Sequence, residues 1–217
     1  MSKIFITGGT GYMGRQLIPE LLKRGYAITS LVRPGSETKL PISRNAVYGN
    51  ALDADTYAAS VVGCDTFIHL VGVAHPSPAK AKQFREIDLV AAKSAIDAAR
   101  RANIQHFVYL SVAQPAPIMR AYLEVRAQAE QLLRESAMNA TILRPWYVLG
   151  PGHRWPYVLL PFYVLLRNIP ATKEGAERLG LVTLQQMTAA LVRAAESPAR
   201  GIVIVDAPAI RNQGNLP

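Results

Sequence analysis

Cysteine is the scarcest chemistry in this chain. Cys64 stands alone among 217 residues, so an intrachain disulfide and a cysteine-based zinc site are both excluded, no metal is expected, and a reducing cytoplasm is the expected setting. Acidic residues are thin as well, 15 against 24 Lys and Arg, for a formal charge of +9. Such an excess suits nucleic acid, an anionic membrane surface or a phosphorylated ligand. The basic residues, however, are spread along the chain, and Lys23-Arg24 and Arg100-Arg101 fall at predicted helix ends, where they complement the dipole. The charge therefore reads as solvated surface, and no nucleic-acid partner is expected. Long apolar runs are missing too: the best membrane candidate, Trp155 to Ile169, is interrupted by Pro161 and Arg167 before it reaches spanning length. Met1-Ser2-Lys3 leads directly into a short apolar run that ends at glycines, which is not a signal-peptide pattern.

What is present in quantity is apolar, half of all residues, enough for a sizeable core in one domain over residues 1–217. The chain is organised around Lys3 to Gly14. Lys3-Ile-Phe-Ile-Thr reads as a strand, and it runs into glycines that fit both Gly-x-Gly-x-x-Gly (Gly9, Gly11, Gly14) and Gly-x-x-Gly-x-x-Gly (Gly8, Gly11, Gly14). Beyond them Leu17, Ile18, Leu21 and Leu22 have helical spacing. Strand, glycine turn and helix together form the dinucleotide fingerprint: the backbone turns sharply and approaches a pyrophosphate, and the amides at the helix start face the phosphates. Gly8, Thr10, Gly11, Tyr12, Met13 and Gly14 are the candidate phosphate-binding residues.

In order, Ala27–Val32 reads as a second strand ending at Arg33, about twenty residues past the glycines, where arginine suits the 2′-phosphate of NADP and an acidic residue would suit NAD. Arg33 therefore favours NADP(H) over NAD(H), and Arg15 is a candidate second cation. Pro34 to Arg44 is turn-rich, and Ala46–Tyr48 is a short third strand. It is followed by Asn50, Ala51 and Leu52, where the Asn50 amide either meets an adenine edge or serves the turn after Gly49. A short helix is expected near Asp55 to Val61, a buried fourth strand over Thr66–Val71, and at its end Val71 and Gly72, close to the cofactor. His69 reads as a core histidine; His75 lies nearer the crevice. Phe84 to Ala102 has the period of a long amphipathic helix with Ile87, Val90, Ala91, Ala95 and Ala98 inward. A fifth strand over His106–Leu110 ends at Ser111, a helix runs Ile118 to Ser136, and a sixth strand over Ala140–Leu143 leads into Arg144-Pro145. Further on come an aromatic helical stretch from Tyr157 to Ile169, a polar loop from Thr172 to Glu177, a helix from Leu184 to Glu196, a last strand over Ile202–Asp206, and a loose tail from Pro208 to Pro217. This alternation predicts an α/β fold, a doubly wound, mostly parallel Rossmann sheet with helices on both faces, with residues 151–200 forming a small helical cap on the substrate side.

The glycine cluster, Ser111, Tyr122 followed four residues later by Arg126, and Arg144-Pro145 together resemble the short-chain dehydrogenase/reductase superfamily over nearly the whole chain. The turn, His69-Leu-Val-Gly72 and Leu143-Arg-Pro145 are most similar to its atypical or extended NAD(P)-binding branch, with the NmrA-like regulators and proteins similar to the complex I accessory subunit. The resemblance implies that Tyr122 exchanges a proton with a carbonyl or hydroxyl, that Ser111 orients the substrate, and that Arg126 holds the ribose. It also implies that backbone after Pro145, including Tyr147, meets the nicotinamide amide. The family has lysine where Arg126 stands, and a planar guanidinium differs from a compact ammonium at such a site. The alternative is structural: Tyr122 packs at the helix start and Arg126 pairs with Glu130 one turn on. Trp146, Tyr147, Trp155, Tyr157, Phe162 and Tyr163, with His153 and Arg154 as polar members, suggest a roof over an apolar or planar substrate such as a quinone, a flavin or an aromatic carbonyl compound. The expected function is an NADP(H)-preferring oxidoreductase. The other candidate is a non-catalytic redox sensor or assembly protein, with a homodimer or a regulatory protein as possible partner.

Overall fold

Short β-prone runs that alternate with amphipathic stretches can bury both faces of a sheet only by covering each with helices. The computed structural model shows that solution and describes residues 2–41, 45–151, 174–175 and 177–213. The elements are β1 (Lys3–Thr7), α1 (Gly14–Lys23), β2 (Ala27–Val32), β3 (Ala46–Tyr48), α2 (Ala58–Val61), β4 (Thr66–His69), α3 (Val90–Arg101) and β5 (His106–Leu110). They continue with α4 (Arg120–Glu135), β6 (Ala140–Arg144), β7 (Val148–Leu149), β8 (Val182–Thr183), α5 (Leu184–Glu196), β9 (Ile202–Asp206) and α6 (Ala207–Gln213). Seven strands form one sheet in the order β3-β2-β1-β4-β5-β6-β9, every neighbouring pair parallel, while β7 and β8 form a separate parallel pair. The order reverses between β1 and β4, the switch point where ligands bind at the carboxyl ends of such sheets.

Alternation along the strands divides the core. Ile4, Ile6, Ile68, Val108 and Leu143 pack under α1, α5 and α6. Phe5, Phe67, Phe107 and Ile142 face α2, α3 and α4. In the second layer Phe5, Phe67 and Phe107 are register partners on three adjacent strands, with ring centroids 5.2 and 5.1 Å apart, and Tyr57 stacks on Phe5 at 5.8 Å.

Three expectations are corrected. The helix expected over Phe84–Ala102 begins as a π-helical segment, Phe84–Leu89, before α3. Its wider turn rotates the inward face, so Val90 is exposed and Asp88 is 1% accessible. The tail expected to be loose carries α6, whose Ala207 and Ile210 are fully buried. Asp206 Oδ1 accepts the Ala209 N–H at 3.0 Å, and Pro208 sits in a first turn, where its missing N–H costs nothing. Finally, the described part of the loop expected over Thr172–Glu177, namely Glu174, Gly175 and Glu177, is helical. The aromatic stretch Tyr157–Ile169, with His153, Arg154 and Trp155, lies outside the described residues, as do 152–173 and 176 of the stretch expected to cap the site. From that stretch, α5 packs with α1 in the core, held at its start by a capping box between Thr183 and Gln186. Among the described residues no helix is long and apolar enough to cross a membrane, and no group of side chains could hold a metal ion.

Candidate functional site

The glycine turn joins β1 to α1 at the switch point. Gly8 takes φ +82°, and Gly14 packs where a Cβ would stand 2.5 Å from Gly9 Cα, so turn and helix close on each other without side chains. Gly11 differs: it is exposed, and its N–H is bonded back to the Gly8 carbonyl at 3.0 Å, which closes the turn. No acidic residue stands in the first turn of α1, so its positive end is available to an anion. Thr10 is half-buried in the turn, and Tyr12 and Met13 line the adjoining cavity. These features fit a nucleotide pyrophosphate.

At the end of β2, exposed Arg33 lines a depression of about 540 Å³ with Pro34, Tyr48, Gly49 and Asn50. Asn50 Oδ1 accepts the Leu52 N–H at 3.0 Å, which serves the turn after Gly49. Ala51 and Leu52 are half-buried behind it, and Arg15 is exposed. On the other side of the turn, Tyr12, Met13, His75, Met119, Tyr122, Trp146 and Tyr147 surround a cavity of about 260 Å³, which Val112 and Val148 also line. Burial pushes the Tyr147 phenol pKa up. A wider hollow of about 810 Å³ lies outside α1 and α5, with Glu20, Lys23 and Arg24 paired at its rim and no lining residue from β1, β4 or β5.

Behind the small cavity lies a buried polar layer. Thr7 and His69 are register partners, and so are His69 and Tyr109. Thr7 Oγ1 and His69 Nδ1 are 2.7 Å apart, and burial, aided by the Arg126 charge, lowers the His69 pKa to about 3. His69 is thus a neutral core residue. Arg126 Nη1 donates to the Leu110 carbonyl at 2.9 Å and to Tyr109 Oη at 3.3 Å; Nη2 donates to Asp88 Oδ1 at 2.5 Å. The pairing with Glu130 expected from helical spacing is corrected, because the π-helical segment turns the buried Asp88 to the guanidinium. Burial raises the Asp88 pKa, while Arg126 and the Val73 N–H, 3.0 Å from Oδ2, pull it back down. Gly72 admits the pair, since a Cβ there would stand 2.5 Å from Arg126 Nη2 and 3.2 Å from Asp88 Oδ1. Val71 beside it is half-buried. The Arg126 guanidinium also lies 5.0 Å from the Tyr122 ring centroid, and Phe84 packs against the same tyrosine at 4.9 Å.

Ser111 is buried, and its hydroxyl donates to Glu130 Oε1 at 2.6 Å. Glu130 also receives Gln114 Nε2 at 2.8 Å and Arg144 Nε at 3.0 Å, and Arg144 Nη2 pairs with its second oxygen. Pro145 is buried and its carbonyl accepts the Ala113 N–H at 2.8 Å, fixing the turn that presents Trp146 and Tyr147. Sequence reasoning missed Asp88, Glu130 as a hub, and the lining residues Val112 and Met119. The usable signal was an acidic residue inside each of two apolar helix stripes.

A family profile described as NAD(P)H-binding matches residues 8–156. The chain is 25% identical over 170 residues to a 4-hydroxy-2-methyl-3-oxo-4-farnesyl-3,4-dihydroquinoline-1-oxide ketoreductase of Stigmatella aurantiaca, covering 68% of this chain and 51% of that one. It is 25% identical over 202 residues to a ceramide reductase of Caulobacter vibrioides, covering 92% of this chain and 63% of that one. It therefore spans between half and two thirds of the length of these relatives. Among solved structures, Bordetella bronchiseptica WbmH in complex with NAD+ superposes with a TM-score of 0.71 at 20% identity, covering 95% of this chain and 76% of that one. With its glycine turn, its parallel seven-stranded sheet and a profile match over most of its length, the chain belongs to the NAD(P)H-binding family.

Proposed function

We propose that the chain is an NADP(H)-preferring oxidoreductase that moves hydride between the nicotinamide and a small, apolar or planar substrate in the 260 Å³ cavity. One observation carries this reading: Tyr122 forms part of the cavity wall while its ring rests on the buried Arg126 guanidinium. The bound dinucleotide would supply or take up hydride. Gly11, Tyr12 and Met13 would hold its phosphates, Arg33 would meet the 2′-phosphate, and backbone at Tyr147 would meet the nicotinamide amide. Tyr122 would give a proton to the substrate oxygen on reduction and take it back on oxidation. Arg126 acts here as a positioning residue: its hydrogen bonds go to Asp88 and Leu110, so it supports Tyr122 through the ring face. The setting is the cytoplasm, where the lone Cys64 thiol stays reduced.

The test is parallel titration with NADPH and NADH, followed by tryptophan quenching. NADPH is expected to bind about tenfold tighter or better, the preference disappearing in Arg33→Asp. Tyr122→Phe is expected to keep NADPH binding and lose turnover by about a hundredfold or more. A second reading, a non-catalytic redox sensor or assembly partner, is favoured by the bonding of both Arg126 terminal nitrogens to Asp88, Tyr109 and Leu110 where the family has lysine. Tight NADPH binding with the same negligible turnover in wild type and Tyr122→Phe would establish it over the first.

A further inference from the structure

We infer that the substrate is a conjugated planar two-electron acceptor of the quinone class, and that Ser111 takes no part in its reduction; the inference rests on the oxidoreductase reading above. Reducing an isolated ketone concentrates negative charge on one oxygen, a task served by converging hydrogen-bond donors. Here Ser111 is withdrawn from that task. The Ser111 proton points to Glu130 Oε1 at 2.6 Å, the serine is 4% exposed, and it is not among the described residues lining the cavity. Glu130 is itself held in place by Arg144 and Gln114, so the serine stays turned toward it. Nor does Arg126 replace the serine: it is not among the described residues lining the cavity, and its terminal nitrogens turn to Asp88, Tyr109 and Leu110.

A quinone needs less. It takes hydride and its electron pair on one oxygen, the ring becomes aromatic, and charge spreads to the opposite oxygen, which Tyr122 protonates before regaining a proton from water. NADPH, quinone and one proton thus give NADP+ and hydroquinone. The wall agrees with such a guest. Among the described lining residues every polar side chain is carried on a flat ring, Tyr12, His75, Tyr122, Trp146 and Tyr147, and the others are Met, Pro and Val. Trp146 and Tyr147 meet edge to face at 81°, a corner offering a face and an edge to a stacked ring. About 260 Å³ suits one or two fused rings.

The probes are menadione, a bicyclic quinone, and 2-decalone, a saturated bicyclic ketone of similar size. Without nucleotide, calorimetry is expected to show menadione binding that weakens about tenfold in Trp146→Leu, and no saturable binding of 2-decalone. With NADPH, menadione is expected to be reduced and 2-decalone not, and Ser111→Ala to keep the menadione rate within about twofold. Reduction of 2-decalone at a comparable rate, or a loss of about a hundredfold in Ser111→Ala, overturns the inference and leaves the oxidoreductase reading standing. NADPH that binds but is oxidised by neither acceptor overturns the oxidoreductase reading, and the inference with it.

Discussion

Two rungs cross the same face of the sheet, one strand step apart. Phe5, Phe67 and Phe107 align through register on β1, β4 and β5 and close against one another. Two residues nearer the carboxyl ends, Thr7, His69 and Tyr109 align through the same register, and each carries a polar atom. The first rung needs only volume and shape. The second, equally buried, pairs Thr7 Oγ1 with His69 Nδ1 and leads through Tyr109 to Arg126, Asp88 and the wall of the cavity. The pair of rungs shows how a parallel sheet changes from core to chemistry: strand geometry is unchanged, and a shift of two residues exchanges dispersion for hydrogen bonding.

The rungs should break differently. Phe67→Ala, which opens a cavity in the apolar rung, is expected to cost about 3–5 kcal/mol in urea denaturation. Asp88→Ala, which strands the Arg126 charge, is expected to cost about as much. The distinction lies in rescue: Asp88→Leu combined with Arg126→Met should recover most of that loss, because two apolar groups replace a desolvated pair. Failure of that rescue would show that the polar layer is held by more than its ion pair.

Acid should sharpen the contrast. Burial lowers the pKa of His69 to about 3 and of His106 to about 4, from 6.5. Below pH 6.5 the unfolded chain therefore binds more protons than the fold, and stability falls as pH falls. Each histidine contributes about 1.4 kcal/mol per pH unit, both between 6.5 and about 4 and His69 alone down to about 3, with no contribution above 6.5. His69→Gln should remove about half of the slope, whereas Phe67→Leu should leave it unchanged. The smallest change is Thr7→Val, which removes the hydroxyl 2.7 Å from His69 Nδ1 and should cost about 1 kcal/mol, with Thr7→Ser near wild type.

Much of the apolar rung's setting was legible in the chain. Ala27–Val32, Ala46–Tyr48, His106–Leu110, Leu184–Glu196 and Ile202–Asp206 occupy the expected spans, since hydrophobic period and flanking glycines decide them locally. The glycine turn was legible for the same reason. The polar rung was not. Asp88 meets Arg126 across 38 positions, and the π-helical segment that turns it inward leaves no mark on a 3.6-residue pattern. Glu130 invited pairing with Arg126 by spacing alone, while Ser111, Gln114 and Arg144 approach it from other elements. The helix after β9 was hidden by Pro208, which reads as a breaker unless the capping carboxylate of Asp206 is seen with it.

Gly72, Asp88 and Arg126 also constrain how such a site can change over generations. A side chain at 72 meets the guanidinium, a neutral residue at 88 strands it, and lysine at 126 reaches Asp88 without the second nitrogen that holds the Leu110 carbonyl. Each single step descends before any second step can compensate. The trio behaves as a ratchet: once the arginine is seated, each single replacement runs through a less stable protein.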